Sequence, residues 1–351
     1  MRIVVAMSGG VDSSTVAGLL AEQGHDVIGV TLQLYDHGAA ISRKGACCAG
    51  QDIHDARRVA DHIGIPHYVI DAEARFRDAV MKDFADSYAA GETPVPCVRC
   101  NQSVKFTDLL ALTADLGASH MATGHYVRRL DGPGGAELHR AVDPGRDQSW
   151  FLFATTQSQL DRSLFPLGAM PDKATVRAHA QRLGIQVAAK PDSQDICFVP
   201  SGSYADVVAR LRPDAAAPGE IVSETGEILA HHDGIARYTV GQAKRLGNAT
   251  HDGGTRRVVL ALDPATRRVI VGPRRDGTTT VRLREMNWLV PRATLRCTVK
   301  LRAREEPHPA VVTPDGDAAI VTLDTPALPA PGQACVLYDG SRVLGGGFIR
   351  A

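Results

Sequence analysis

The chain has 351 residues, 44% of them hydrophobic, which is too long for one ordinary core and enough for two or three domains. Its 39 basic residues balance 39 acidic ones, so no global field announces a nucleic-acid partner, yet residues 237–302 hold fifteen Lys or Arg against four Asp or Glu. No apolar run approaches membrane length and the first residues read as a core strand, so a cytoplasmic protein without a membrane partner is expected, its seven cysteines serving as thiols, metal ligands or redox groups rather than as a disulfide frame.

The run Arg2 to Met7 has the length and Ile/Val content of a buried parallel strand, and the periodic segment Ser13 to Gln23 reads as the helix that follows it. Between them Gly9 and Gly10 permit backbone angles closed to other residues, so successive amides can line one concavity at the positive end of a helix. An anion, and most naturally a phosphate, is expected there. The turn lacks the lysine of a Walker A loop and the Gly-x-Gly-x-x-Gly spacing of dinucleotide folds. A plain strand-to-helix turn capped by Asp12 and Ser13 is the competing reading.

A second strand is expected from Asp26 to Leu34, with Leu32 at its C-terminal end on the edge where a nucleotide base would rest. A loop carrying Cys47-Cys48 leads to a helix from Asp52 to Ile63, a strand from Pro66 to Asp71 and a helix from Glu73 to Ala89. This alternation argues for a parallel sheet covered on both faces. Pro94 and Pro96 then break the pattern before a helix from about Gln102 to Leu116. Cys100 would lie near its N-terminus, where the dipole and Arg99 should lower a thiol pKa. Cys97 and Cys100 form a Cys-x-x-Cys pair that by itself fits a redox pair, half a zinc site or neither. A strand from His120 to Tyr126 places Gly124 and His125 at the ligand-binding rim of the sheet, Gly124 allowing close backbone approach.

A hairpin from Arg128 to Val142, the run Arg146-Asp147-Gln148, and a helix from Asp172 to Leu183 follow. From Pro213 onward short strands with Gly and Pro-Ala turns replace the helical period, as in small barrels. The domains are therefore read as 1–212, 213–278 and 279–351. Cys297 and Cys335 fall in strands and read as small core residues, while Cys197 stands alone.

Ser8 to Ser13 resembles the PP-loop of ATP pyrophosphatases. Together with Pro96-Cys-Val-Arg-Cys-Asn101 and Asp192-Ser-Gln-Asp-Ile-Cys-Phe198, the chain resembles the tRNA-specific 2-thiouridylases; Thr123-Gly-His-Tyr126, Arg146 to Ser149, Tyr238-Thr-Val-Gly-Gln242, Asn287-Trp288 and Pro331-Gly-Gln333 extend the match over most of its length. The resemblance implies an α/β PP-loop domain on a parallel sheet, a small β-rich central domain and a C-terminal β-barrel. It implies Cys100 as catalytic nucleophile and Cys197 as persulfide carrier. Ala6, Met7, Ser8, Gly9, Gly10, Val11, Asp12, Ser13, Leu32 and Gly124 take ATP-binding positions, with Asp12 placing Mg2+ directly or through water. His125, Arg146, Asp147, Gln148, Arg302, Ala303 and Gln333 take tRNA-binding positions, and Val95, Pro96 and Cys97 face the target base. The pattern departs here, since many relatives have Asn-Pro-Asp at 95–97.

The implied reaction explains these parts. Uridine C2 is a poor electrophile until its oxygen is adenylated; sulfur must then arrive as a persulfide from a donor protein, and a second thiol, with an external reductant, must complete the exchange. The base must also leave the anticodon stack. Cys97, Cys100 and Cys197 would supply three thiolates if an iron-sulfur cluster were used, although a cluster-free cycle needs only two. The rival readings are another PP-loop adenylating ligase and a non-catalytic, nucleotide-gated RNA-binding protein.

Overall fold

The computed structural model describes residues 1–35, 48–192, 196–199, 204–274 and 276–350. Cys47 lies outside these residues, as does the 193–195 part of the motif before Cys197. Two compact units emerge: residues 1–79, 97–194 and 339–344 form the first, and residues 80–96, 195–338 and 345–351 the second.

In the first unit, strands β1 (Arg2–Ala6), β2 (Asp26–Gln33), β3 (His67–Asp71), β4 (His120–Ala122) and β7 (Ser163–Leu164) form a sheet in the order β3-β2-β1-β4-β7. Every pairing is parallel, as the βα alternation requires. The hairpin β5 (Val127–Gly132) and β6 (Gly135–Arg140) lies where the sequence places it, and Arg342 of the 339–344 segment stands opposite His139.

Helix α1 (Val11–Glu22) starts two residues before the expected position. Its Val16, Ala17 and Leu20 join Ile3, Val5, Val59, Ala60 and Val176 in the core beneath the sheet. Burial of each Val or Leu there contributes roughly 1.5–3 kcal/mol, which holds the N-terminus of α1 rigidly against the end of β1. Helix α2 (Cys48–Ile63) and α5 (Lys173–Arg182) pack in the same unit. The latter begins where Asp172 accepts a bond from the Thr175 amide at 2.7 Å.

Two expected helices are less regular than their sequences suggest. Residues 73–89 (α3) pass through a π turn at Arg77–Met81. The helix expected from Gln102 already starts at Pro96, which suits a first helical turn because it has no amide to leave unpaired. This helix (α4, residues 96–115) widens into a π segment at Cys100–Asp108 before ending as Leu109–Asp115.

The second unit is β-rich. Strands β8 (Gly219–Ser223), β9 (Ile228–His232), β10 (His251–Asp252), β11 (Thr255–Asp263) and β12 (Arg268–Pro273) form one sheet around Ile221, Tyr238, Leu246, Val259, Val269 and Val271. Strands β13 (Thr278–Trp288), β14 (Leu295–Lys300), β15 (His308–Asp315), β16 (Ala318–Ala327), β17 (Ala334–Asp339) and β18 (Arg342–Ile349) follow in the order β13-β16-β15-β14-β17-β18. A β13–β18 pairing closes this set into a barrel, so no edge remains between them. The α/β, β-rich and barrel sequence of folds expected from the chain is thus what it forms. Among the described residues no helix is long and apolar enough to cross a membrane.

Candidate functional site

The parallel sheet reverses its winding between β1 and β4, which are neighbours with Val5 opposite Ala122. Open α/β sheets bind ligands at such a switch point, beyond the carboxyl ends of the strands. Residues 7–10 leave β1 there and residues 123–126 leave β4.

The first loop is shaped by its neighbours. Met7 donates its amide to Val30 O at 2.8 Å and accepts from Thr31 Oγ1 at 2.8 Å. Gly9 has φ +72°, and a Cβ there would lie 2.1 Å from the Asp52 carbonyl oxygen. Ser8 donates its amide to Ser13 Oγ at 3.0 Å, and the two hydroxyls stand 3.2 Å apart. Gly10, at the N-cap of α1, brings no side-chain acceptor. The first-turn amides of α1 therefore meet the positive helix end with two hydroxyls beside them, a donor set suited to a polyphosphate.

Two lysines that the sequence reading did not single out, Lys173 buried and Lys190 half-buried, complete this region. Lys173, the first residue of α5, places Nζ 2.7 and 2.8 Å from the two Asp12 oxygens and 2.7 Å from Asp192 Oδ1. Asp12 also accepts from the Tyr126 hydroxyl at 2.7 Å, and Asp192 from Arg146 Nη1 at 2.6 Å. Burial pushes the Asp192 carboxyl up, but the bonds from Lys173 and Arg146 outweigh it and hold the group below the usual range. The Tyr126 hydroxyl is pushed up, first by burial and then by Asp12, and stays a donor. Lys190 makes a second bridge, donating to Gly9 O at 3.0 Å, Asp52 Oδ1 at 2.7 Å and Asp55 Oδ2 at 2.6 Å. It ties the glycine turn to α2.

Gly124 is needed because a Cβ would lie 2.9 Å from the Ser13 amide and 3.0 Å from Asp12 Cβ. The backbone that approaches it closely is that of α1 itself. Leu32 is half-buried opposite Ile70 near the end of β2. Burial, with Lys105 nearby, pushes the His125 imidazole down to about 3, so it is neutral and pairs through Nδ1 with Thr123 Oγ1 at 2.9 Å. It brings no cation to a phosphate. Asp147 accepts from the Ala141 and Ser149 amides, both at 3.1 Å, and Gln148 Oε1 accepts from the Tyr126 amide at 2.9 Å. These two side chains brace the rim, and Arg146 alone of the three extends a charge along it.

The expectation of an acidified Cys100 thiol is overturned. Because α4 starts at Pro96, Cys100 lies inside the helix, 6% exposed, and burial pushes its thiol above the usual value, Lys105 countering only in part. Cys97 is exposed, whereas Val95 and Pro96 are buried. Cys97, Cys100 and Cys335 are free thiols. Among the described residues no group of three or more His, Cys, Asp or Glu is placed to hold a metal.

In the second unit, Cys197 is exposed. Arg302 is exposed and donates to Leu328 O at 3.2 Å, and Ala303 O accepts from Lys300 Nζ at 2.8 Å. Gln333 donates to Thr93 O at 2.9 Å, and Glu92 receives both Arg284 Nη groups at 2.6 and 2.7 Å, so the segment before Val95 is held from the barrel strands.

The first unit is an α/β unit whose glycine turn suits an anion and which carries two thiols on one helix. Residues 1–201 match the family described as tRNA methyl transferase HUP domain, residues 206–273 its PRC-barrel domain, and residues 278–349 the aminomethyltransferase beta-barrel domain. The chain is 70% identical over 351 residues to a tRNA-specific 2-thiouridylase MnmA from Acidiphilium cryptum, covering 99% of this chain and 100% of the relative. A protein of the same name from Gluconobacter oxydans is 64% identical over 359 residues, covering 100% and 99%. The chain belongs to the tRNA-specific 2-thiouridylase family.

Proposed function

We propose that this chain is an ATP-dependent tRNA-uridine 2-sulfurtransferase that replaces the C2 oxygen of the wobble uridine with sulfur. The observation that carries the reading is full-length membership of the family together with a glycine turn whose uncapped helix end suits a polyphosphate.

ATP supplies the activation, turning the C2 oxygen into a leaving group that departs with AMP while pyrophosphate is released. Ser8, Ser13 and the turn amides hold the phosphates, and Lys190 keeps the turn in shape. Asp12, with both oxygens engaged by Lys173, is suited to hold Mg2+ through water rather than as a bare ligand. Cys197 carries the persulfide delivered by a donor protein, and its terminal sulfur forms the new bond to C2. The Cys100 thiolate then attacks Cys197 Sγ: the S–S bond breaks, 2-thiouridine leaves, and the Cys100–Cys197 disulfide is returned to two thiols by an external thiol reductant. Burial raises the Cys100 pKa, so this thiol gives up its proton before it attacks. Two thiols suffice for the cycle, so it is cluster-free. Arg146, Arg302 and Gln333 contact the tRNA, and the 95–97 segment faces the base.

The test is AMP formation that depends on tRNA, with mass spectrometry of the tRNA nucleosides. Cys100→Ser and Cys197→Ser should each abolish 2-thiouridine while ATP binding persists; thiolation retained in either variant refutes the roles. Anaerobic purification should yield protein without iron and Cys97→Ser with full activity, whereas iron lost together with activity would establish the cluster.

A further inference from the structure

Part of the basic character of residues 237–302 is cancelled locally. Arg268 pairs with Glu220 at 2.9 Å, Arg284 with Glu92 at 2.6 Å, Arg292 with Asp317 at 3.4 Å, and Arg296 with Asp324. Arg257 is buried, 9% exposed, and donates to His251 O at 3.0 Å. A guanidinium already matched by a carboxylate has little attraction left for a phosphate.

Lys244, Arg245 and Arg256 differ. All three are exposed, none forms an ion pair among the described residues, and with Gln242 and Ala243 they line one cavity of about 540 Å³. The loop that presents them is held firmly. Tyr238 and Leu246 anchor its ends in the core, Gly241 N donates to Val259 O at 2.8 Å, and Val259 N donates to Gln242 O at 2.8 Å. Gln242 Nε2 donates to Lys244 O at 2.8 Å, and the Tyr238 hydroxyl to Arg245 O at 3.3 Å. Arg245 is fixed at φ +65°, a conformation that a non-glycine residue adopts only when its surroundings impose it. These contacts account for Tyr238-Thr-Val-Gly-Gln242, a motif that the reaction itself leaves unused. Gly241 also lies beside Arg302, a Cβ there being 3.6 Å from Nη2, and Arg302 is a position that the family resemblance gives to tRNA.

We infer that Lys244, Arg245 and Arg256 form an RNA backbone site on the central sheet, a preorganised cationic cradle that grips tRNA phosphates away from the reacting base. The inference rests on the function proposed above. The three cations carry no base-reading partner, so the site adds affinity and register rather than sequence choice.

The test uses the full chain and measures tRNA affinity against salt concentration for three proteins: wild type, a variant with Lys244→Gln, Arg245→Asn and Arg256→Gln, and a control with Arg268→Gln, Arg292→Gln and Arg296→Gln. Asn at 245 tolerates the left-handed backbone. The cradle variant should lower the slope of log K against log salt by about 2–3 and weaken binding at least about tenfold near 0.15 M salt. The control removes the same net charge and should leave the slope within about 1 of wild type. Arg256→Gln alone, at an exposed strand position, should lower the slope by about 1 and guards against a misfolded triple variant. An unchanged slope in the cradle variants, or an equal loss in the control, overturns the site. A wild-type chain that binds no tRNA refutes the proposed function instead.

Discussion

Replacing Lys173 with Met removes the cation that joins Asp12, beside the glycine turn, to Asp192. The lysine side chain is 10% exposed, Asp192 is 17% and Asp12 is 30% exposed. Leaving fully buried charges without their partner costs about 3–5 kcal/mol. Asp192 retains Arg146 and Asp12 retains Tyr126, with partial access to water, so the expected loss is about 2–3 kcal/mol. Hydrogen exchange of the α1 amides reads this change in the unit where it occurs, without requiring the whole chain to unfold in one step. Combining Lys173→Met with Asp192→Asn should recover about 1 kcal/mol or more, because the second change removes a charge that the first left unmatched. ATP affinity should fall as well, since an unneutralised Asp12 repels the phosphates. An opening free energy altered by less than about 0.5 kcal/mol, with no coupling to Asp192→Asn, would refute the electrostatic role of Lys173.

Gly124→Ala should lower tRNA-dependent AMP formation about a hundredfold, because its Cβ would push on Asp12 and Ser13 backbone and misplace the turn by a fraction of an ångström or more; steady-state kinetics within threefold of wild type would contradict this. Iodoacetamide should label exposed Cys97 before buried Cys100 at pH 7, and Cys100 labelling should rise steadily as pH goes above 9, which peptide mass spectrometry can follow. Faster labelling of Cys100 at pH 7 would restore the acidified thiol. Asp55 and Asp192 have folded-state pKa values depressed below 3.8, so their contribution is complete above that value and is lost as pH falls through the lower, folded-state values. His125, kept neutral by burial down to about pH 3, gains a proton in the unfolded chain below 6.5, so stability of the first unit should decline from about pH 6.5 and fall further below about 4; a level curve from pH 7 to 5 would contradict the burial of His125.

The sheet and its glycine turn were legible because their determinants are local. A continuous Ile/Val run, two glycines and an apolar period suffice to define a strand, a turn and a helix. The two lysines were not legible, because Lys173 lies 161 residues from Asp12 and Lys190 lies 138 from Asp52, and only the folded sheet brings them together. A Lys directly after Asp172, an N-cap residue, was the sole local signal for the first. Cys100 was misjudged for a different reason. The helix boundary moved from Gln102 to Pro96, which turned a presumed end, where the dipole favours a thiolate, into an interior, where burial favours the thiol. His125 shows the same override, its charge being set by packing that no short motif records.

The two units are each assembled from three stretches of chain, and the last pieces, residues 339–344 and 345–351, belong to different units. A ribosome adding about 5–20 residues per second delivers these pieces after the other stretches of both units. Neither unit is therefore complete until residues 339–351 have been made. Losing residues 340–351 would remove β18, which leaves the barrel without its β13 pairing and His139 of the hairpin without Arg342 opposite it. The last strand is thus a shared latch for maturation, and chaperone dependence should track its release from the exit tunnel rather than the emergence of either unit's main body.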